Sequence, residues 1–349
     1  LADELSRRSN GKFKVVSTPN GAEREMIESA QIGTLDLVVT STGPVGNFVP
    51  EVAVVDIPFL FKDYDHARAV LDGPIGQDML KLFPDKGIVA LAWGENGFRH
   101  ITNSKRPIND PADAKGLKVR TMENQVHMTA FRQLGVLPTP MAFTEVFTAL
   151  QQGTVDGQEN PIATILSAKF AQVQKHLTLS AHSYDPAAFL MSIDTFEDMS
   201  DEDKAAFVEA AKAGGKASRK AAADAQANGV KTLREQGLQV VTEIDRAAFA
   251  KAVAPAMPDL ERKFGAAQVE IGLDQLLDDL IQHQRGDDQG KGGGESEQFR
   301  LFVQPTHPGI ELIRHFRLRS RQEERPTLKA GHLGRRTLTK IRQQPKPQV

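Results

Sequence analysis

The chain has 349 residues, of which 40% are hydrophobic and 25% charged, enough for two domains of ordinary size and a substantial core. Cysteine is absent, which excludes disulfides, thiolate catalysis and zinc–thiolate sites, and no run approaches the ~18 consecutive apolar residues that a transmembrane helix needs. The net charge of −2 hides an asymmetry: residues 286–349 hold thirteen Lys/Arg against seven Asp/Glu, leaving 30 basic and 38 acidic residues before them.

At the start, Leu1, Ala2 and Leu5 followed by Asn10-Gly11 read as the last turns and C-cap of an amphipathic helix. No basic head followed by an apolar core is present at the start, so an export signal is not expected within these residues. Residues 12–40 read as strand Phe13–Ser17, helix Glu23–Gln31 ended by Gly33, and strand Leu35–Thr40, a βαβ rhythm that favours a parallel layer. A second rhythm starts at Leu91–Ile101 and continues through a strand ending at Arg120, a helix over Val126–Leu134, Phe143–Gln152 and a helix after Pro161. Two such units suggest two lobes, with the strand-like runs Val89–Thr102 and Leu177–Ser192 as crossings between them.

Asp198–Gly237 is rich in Ala, Lys, Glu and Gln and has no proline, so propensity favours one long helix. At 1.5 Å per residue it would reach roughly 57 Å, too long for one small domain. Gly214-Gly215 marks a candidate bend within it. After about His283, the breaker-rich run Gly286–Gly294 leads into Arg- and Gln-rich sequence without a sustained apolar period, which is expected to be disordered.

The segment from Gly116 to Pro161 carries the chemistry. Leu117 and Val119 alternate with Lys118 and Arg120, a short half-buried strand with an arginine near its exit. Asn160-Pro161 follows the turn Gly153–Gly157 and opens an apolar helical run, so Asn160 reads as a helix cap. An arginine and an asparagine so placed can hold a carboxylate. On residue type alone, Arg120 reads more readily as a surface ion-pair partner, for instance of Glu123, and Asp156 and Glu159 as turn residues rather than catalytic carboxylates. The nine histidines show no metal-ligand spacing, and neither a dinucleotide fingerprint nor a Walker or Gly-x-Ser-x-Gly sequence occurs.

With Lys118-Val119-Arg120, Pro138-Thr139-Pro140-Met141 followed by Phe143, and Asp156-Gly157-Gln158-Glu159-Asn160-Pro161 in this order, the chain resembles the DctP family, the solute-binding proteins of TRAP transporters. Gly33-Thr34-Leu35-Asp36, Asp56–Phe61 and Gly97–Ser104 support the resemblance, which runs from Leu1 to about residue 284. It implies a bilobed α/β receptor of the periplasmic-binding-protein type, with a hinge and a long helix across both lobes, that delivers organic acids to a membrane permease. It also implies a first strand and the front of the first helix ahead of Leu1.

Position by position, the resemblance makes Arg120 the bidentate partner of the ligand carboxylate, Phe143 the wall against its carbon skeleton, and Asn160 a hydrogen-bonding flank that Gln158 orients. Arg99 matches a second basic position that some members use on the ligand; the competing reading pairs it with an acidic neighbour at the hinge. Trp93, Glu95 and Asn96 are weaker candidates for the same subsite. Asn160-Pro161 argues against the metal that some branches bind, so neither metal nor cofactor is expected.

The expected organisation is lobe I over 1–97 with 186–225, lobe II over 98–185 with 226–284, and a basic tail over 285–349. The expected function is that of a periplasmic TRAP receptor for a C4-dicarboxylate or a related hydroxy or sugar acid. It is expected to work as a monomer, with the ligand and the TRAP permease as partners and no nucleic acid. The rival reading is an α/β lyase or hydrolase acting on a carboxylated substrate, with Asp156 or Glu159 as base.

Overall fold

A computed structural model describes residues 1–17 and 21–264. The expected tail and the last part of the expected lobe II lie outside the described residues. The first helix, α1 (Ala2–Arg8), ends as its residues dictate: Asn10 and Gly11 take positive φ, and the Gly11 amide donates to the Ser6 carbonyl at 2.8 Å.

Helix α2 (Glu23–Gln31) carries Glu23 and Glu25 in its first turn, where the helix dipole favours them, and leads into β1 (Leu37–Ser41). Three helices follow, α3 (Thr42–Val45), α4 (Tyr64–Asp72) and α5 (Pro74–Leu80), with Asp63 capping α4 and Pro74 opening α5. The long strand β2 (Ile88–Asn103) then leads to β3 (Lys118–Thr121), α6 (Gln125–Gln133), β4 (Leu137–Pro140), α7 (Phe143–Gln151), β5 (Gly157–Pro161) and α8 (Ile162–Ser167). A second long strand, β6 (His176–Ser192), precedes α9 (Ile193–Glu197), α10 (Asp201–Glu235), β7 (Gln239–Val241), α11 (Arg246–Val253) and α12 (Met257–Phe264).

The strands form one sheet in the order β1-β6-β2-β5-β3-β4, with β7 added beside β6. The two predicted crossings are β2 and β6, antiparallel to each other along nearly their whole length. Register shifts between Ala90 and Ala92, Glu95 and Gly97, and Arg99 and Ile101 break that ladder where a bend between lobes is needed. Hydrophobic clusters lie at both ends. One gathers Ile27, Val38, Phe61, Phe83 and Trp93, and others gather Ile101, Val119 and Phe131 or Val146, Ile165 and Leu177.

The second rhythm folds as read: β3 pairs in parallel with β4 and β5, with α6 and α7 between them in the chain. The first does not. Phe13–Ser17 forms no strand; Phe13 rests edge-on against Phe207 at 5.0 Å, and Val16 stays 76% exposed. Burying one aromatic residue of an alternating segment satisfies it without a ladder. β1 accordingly pairs antiparallel with β6 rather than in a parallel βαβ unit.

The long helix starts at Asp201, because Ser200 accepts the Asp203 amide at 3.2 Å and caps it there. Its 35 residues span roughly 52 Å. Gly214 and Gly215 serve close packing, and the helix is unbroken through them. A Cβ at Gly215 would lie 2.3 Å from the Trp93 carbonyl, and one at Gly229, farther along, 2.4 Å from Ile162. Glycines thus let one helix lie flat on β2 near one end and on α8 near the other.

Candidate functional site

A narrow, partly enclosed cleft separates two walls. Glu23, Arg24 and Pro44 line one, and Arg120, Met122 and Phe143 line the other. The walls also touch. Arg24 reaches Glu123 at 3.4 Å, the Asn47 amide donates to the Glu123 carbonyl at 2.7 Å, and Asn124 donates to Asp56 at 2.7 Å.

Arg120 leaves β3 with 2% of its surface exposed. Its Nε and Nη2 both donate to the Met141 carbonyl, at 3.0 and 2.8 Å, and its guanidinium lies 5.9 Å from the Phe143 ring centroid. Among the described residues no carboxylate pairs with it. Glu123, the surface partner that residue type suggests, is held by Arg24 instead. Burial pushes the Arg120 guanidinium down to about 10, so it remains cationic at neutral pH in a place where little water reaches it.

Phe143 opens α7, takes part in the cleft wall and packs edge-on against Phe170 at 6.1 Å. It therefore joins the cleft to the core beneath β5.

Arg99 is the opposite case. It is 1% exposed and wholly engaged: Nε and Nη2 bind the Glu159 carboxylate at 2.5 and 2.9 Å, Nη1 binds Asp185, and Nη2 also reaches the Glu159 carbonyl. Burial pulls its proton affinity down, but Glu159 and Asp185 outweigh burial and hold it above its ordinary value. The guanidinium has no fork left for a ligand, and the pairing with acidic neighbours is the reading that the geometry bears.

Asn160 lies inside β5, and Pro161 occupies the capping position of α8, so the predicted helix cap is not formed. The chain stays extended through residue 160 because its backbone pairs with His100 across the sheet. The Asn160 side chain instead donates to Gln158 at 2.6 Å and accepts from Arg99 at 3.3 Å. The expected link from Gln158 to Asn160 is present.

Trp93, Glu95 and Asn96 do not line the cleft. Trp93 is core, with its indole N–H donating to the Gly76 carbonyl at 2.8 Å. Glu95 is buried under a two-pronged contact from Arg68 and the Tyr184 hydroxyl at 2.8 Å, while Asn96 turns toward Asp185. These side chains belong to the stretch of β2 that packs against α4, α5 and α10.

The two carboxylates of the rival reading are also committed. Asp156 accepts the Lys118 amide at 2.9 Å, and Glu159 is bound by Arg99 and by His182 at 3.1 Å. Burial would raise Glu159, but the Arg99 charge and the His182 hydrogen bond prevail and hold it far below the usual carboxylate range. Burial likewise raises Asp56 and Asp185 to about 7, against the hydrogen bond from Thr42 in one case and the charge of Arg99 in the other.

Sequence reasoning missed Glu23 and Met122. Nothing local marks either, since a glutamate in a first helical turn reads as a dipole partner. Their place in the cleft depends on two segments about a hundred residues apart. Among the described residues no group of three or more His, Asp and Glu side chains could hold a metal.

The model of bacterial extracellular solute-binding proteins, family 7, known as DctP, matches residues 1–263. The chain belongs to the DctP family. A solute-binding protein of Verminephrobacter eiseniae is 54% identical over 273 residues, covering 77% of this chain and 82% of that protein. The solved structure of a TRAP periplasmic solute-binding protein from Polaromonas sp. JS666, bound to D-erythronate, is 56% identical with a TM-score of 0.75, covering 78% of this chain and 91% of that one. The sugar-acid-binding protein of Advenella mimigardefordensis, in complex with galactonate, is 39% identical with a TM-score of 0.76, covering 79% and 91%. DctP proteins are two-lobed receptors rather than enzymes, and they work with TRAP membrane permeases.

Proposed function

We propose that this DctP protein is a periplasmic receptor that binds a small organic acid, a C4-dicarboxylate or a related hydroxy or sugar acid, and hands it as a monomer to a TRAP permease without chemical change. The observation that carries the reading is Arg120: a buried cation, unneutralised among the described residues, beside an aromatic ring in an inter-lobe cleft. A planar guanidinium matches a carboxylate with two parallel bonds, and a ligand carboxylate would supply the charge that the fold withholds. Phe143 would take the carbon skeleton.

Asn160, buried behind the residues that line the cleft, spends one amide hydrogen and one lone pair on its neighbours, and its second hydrogen would serve the ligand's flank. Arg99 becomes a positioning residue that fixes Asn160 and ties β2 to β5 and β6. We take lobe I as 1–97 with 186–225 and lobe II as 98–185 with 226–284, closing about the bulged β2–β6 ladder.

A thermal-shift screen against organic acids tests the reading, because a ligand that binds only the folded state raises the melting temperature. Stabilisation by acids and not by the matching neutral sugars is the expected result. Conversion of a bound acid to a product would favour the lyase or hydrolase instead.

A further inference from the structure

The charges in the cleft choose among acids. Glu23 lines the cleft from α2 while Arg120 lines it from β3. One oxygen of Glu23, Oε1, accepts from the Thr40 hydroxyl at 2.9 Å, the Ser41 hydroxyl at 2.7 Å and the Ser41 amide at 3.2 Å. Three donors on one oxygen fix the orientation of the carboxylate, and Oε2 has no partner among the described residues. A carboxylate oxygen can only accept a hydrogen bond, so what completes it must donate.

Arg24, the other cation of the cleft, is taken by Glu28 at 3.0 Å and Glu123 at 3.4 Å. The described cleft therefore offers one uncommitted cation and one half-committed anion. We infer that Glu23 is a specificity-determining residue that receives a hydroxyl of the bound acid, and that the ligand is a hydroxylated monocarboxylate rather than a dicarboxylate. The inference rests on the proposed function and narrows it.

Arg120 neutralises one carboxylate. A second would face Glu23, and like charges in a poorly solvated cleft repel strongly. A hydroxyl at the same place gives Oε2 a charge-assisted hydrogen bond, stronger than a neutral one. The Thr40 and Ser41 donors preorganise the acceptor, so little ordering is left for the ligand to impose.

Calorimetric titration of the full chain and of Glu23→Gln with D-erythronate and with succinate tests the inference. The glutamine keeps an oxygen for Thr40 and Ser41 but puts an amide donor where Oε2 stood. Wild type should bind D-erythronate at least about ten-fold tighter than succinate, and Glu23→Gln should weaken D-erythronate about ten-fold while succinate holds or tightens. Opposite responses of the two ligands are not what a merely structural loss produces, and circular dichroism checks the fold. Parallel changes for both acids, or a wild-type preference for succinate, would overturn the inference while leaving the receptor reading standing. Binding of no organic acid by folded wild type would overturn both.

Discussion

Arg99 and Arg120 are both almost completely buried, yet Arg99 is clasped by Glu159 and Asp185 while Arg120 has only a backbone carbonyl. The difference teaches how a fold separates structure from function with one residue type. A cation met by two carboxylates is part of the frame, and its removal leaves buried charges unpaired. A cation left unmet is costly, and on the proposed reading the ligand's carboxylate would recover that cost. The frame arginine stands at the bulge of the crossing strands, and the other at the exit of β3.

The comparison can be broken most severely at Arg99. Arg99→Met should destabilise the fold by about 3–5 kcal/mol, seen as a shifted urea midpoint, because Glu159 and Asp185 lose their common partner. Adding Glu159→Gln and Asp185→Asn should return part of the loss. If the single variant were as stable as wild type, Arg99 would not be the frame residue described.

Phe143→Ala should weaken acid binding by about 1–2 kcal/mol and cost stability as well, since the ring serves the cleft and Phe170 together. Loss of stability with unchanged affinity would move Phe143 wholly into the core.

A further effect concerns pH. His100 sits next to Arg99 in β2, where its Nδ1 accepts the Ala181 amide and its Nε2 faces Gln226. Burial, with His182, Arg246 and Arg99 nearby, pushes its pKa down to about 3. The unfolded chain therefore binds a proton on this side chain between pH 6.5 and 3 that the folded chain refuses, and the His100 contribution to stability falls as pH falls, by up to about 1.4 kcal/mol per pH unit. Asp56 and Asp185, raised to about 7, act with the opposite sign between roughly pH 4 and 7. Relative to its own stability at pH 7, His100→Gln should be more stable at pH 4 than wild type is, as urea midpoints at the two pH values would show. An unchanged slope would show that His100 is protonated in the fold.

Much of the fold was legible in sequence because it is locally encoded. The strand-like runs that become β2 and β6, the alternation of β3, the turn before β5 and the composition of α10 each point to one structure. Phe13–Ser17 was misread because alternation records a buried face but not a ladder, and Phe207, which supplies that face, is distant. Gly214-Gly215 looked like a bend because a helix in isolation cannot show the Trp93 carbonyl lying against it.

In the site, the motif around Arg120 and Phe143 placed both in the cleft, whereas Trp93, Glu95 and Asn96 belong to packing and ion pairing. No local signal distinguishes the two arginines. The partners of Arg99 lie 60 and 86 residues away, and Glu23 faces Arg120 only through the approach of α2 to β3.

Calorimetric titration of wild type, Arg120→Ala and Arg120→Lys with D-erythronate tests the central claim most directly, with circular dichroism confirming that each variant is folded. Arg120→Ala should lose about 2–5 kcal/mol of binding, roughly 30-fold to several-thousand-fold in affinity, and Arg120→Lys should recover only part of it because an ammonium lacks the planar fork. Wild-type affinity in folded Arg120→Ala would contradict the assignment of this buried arginine as the partner of the ligand's carboxylate.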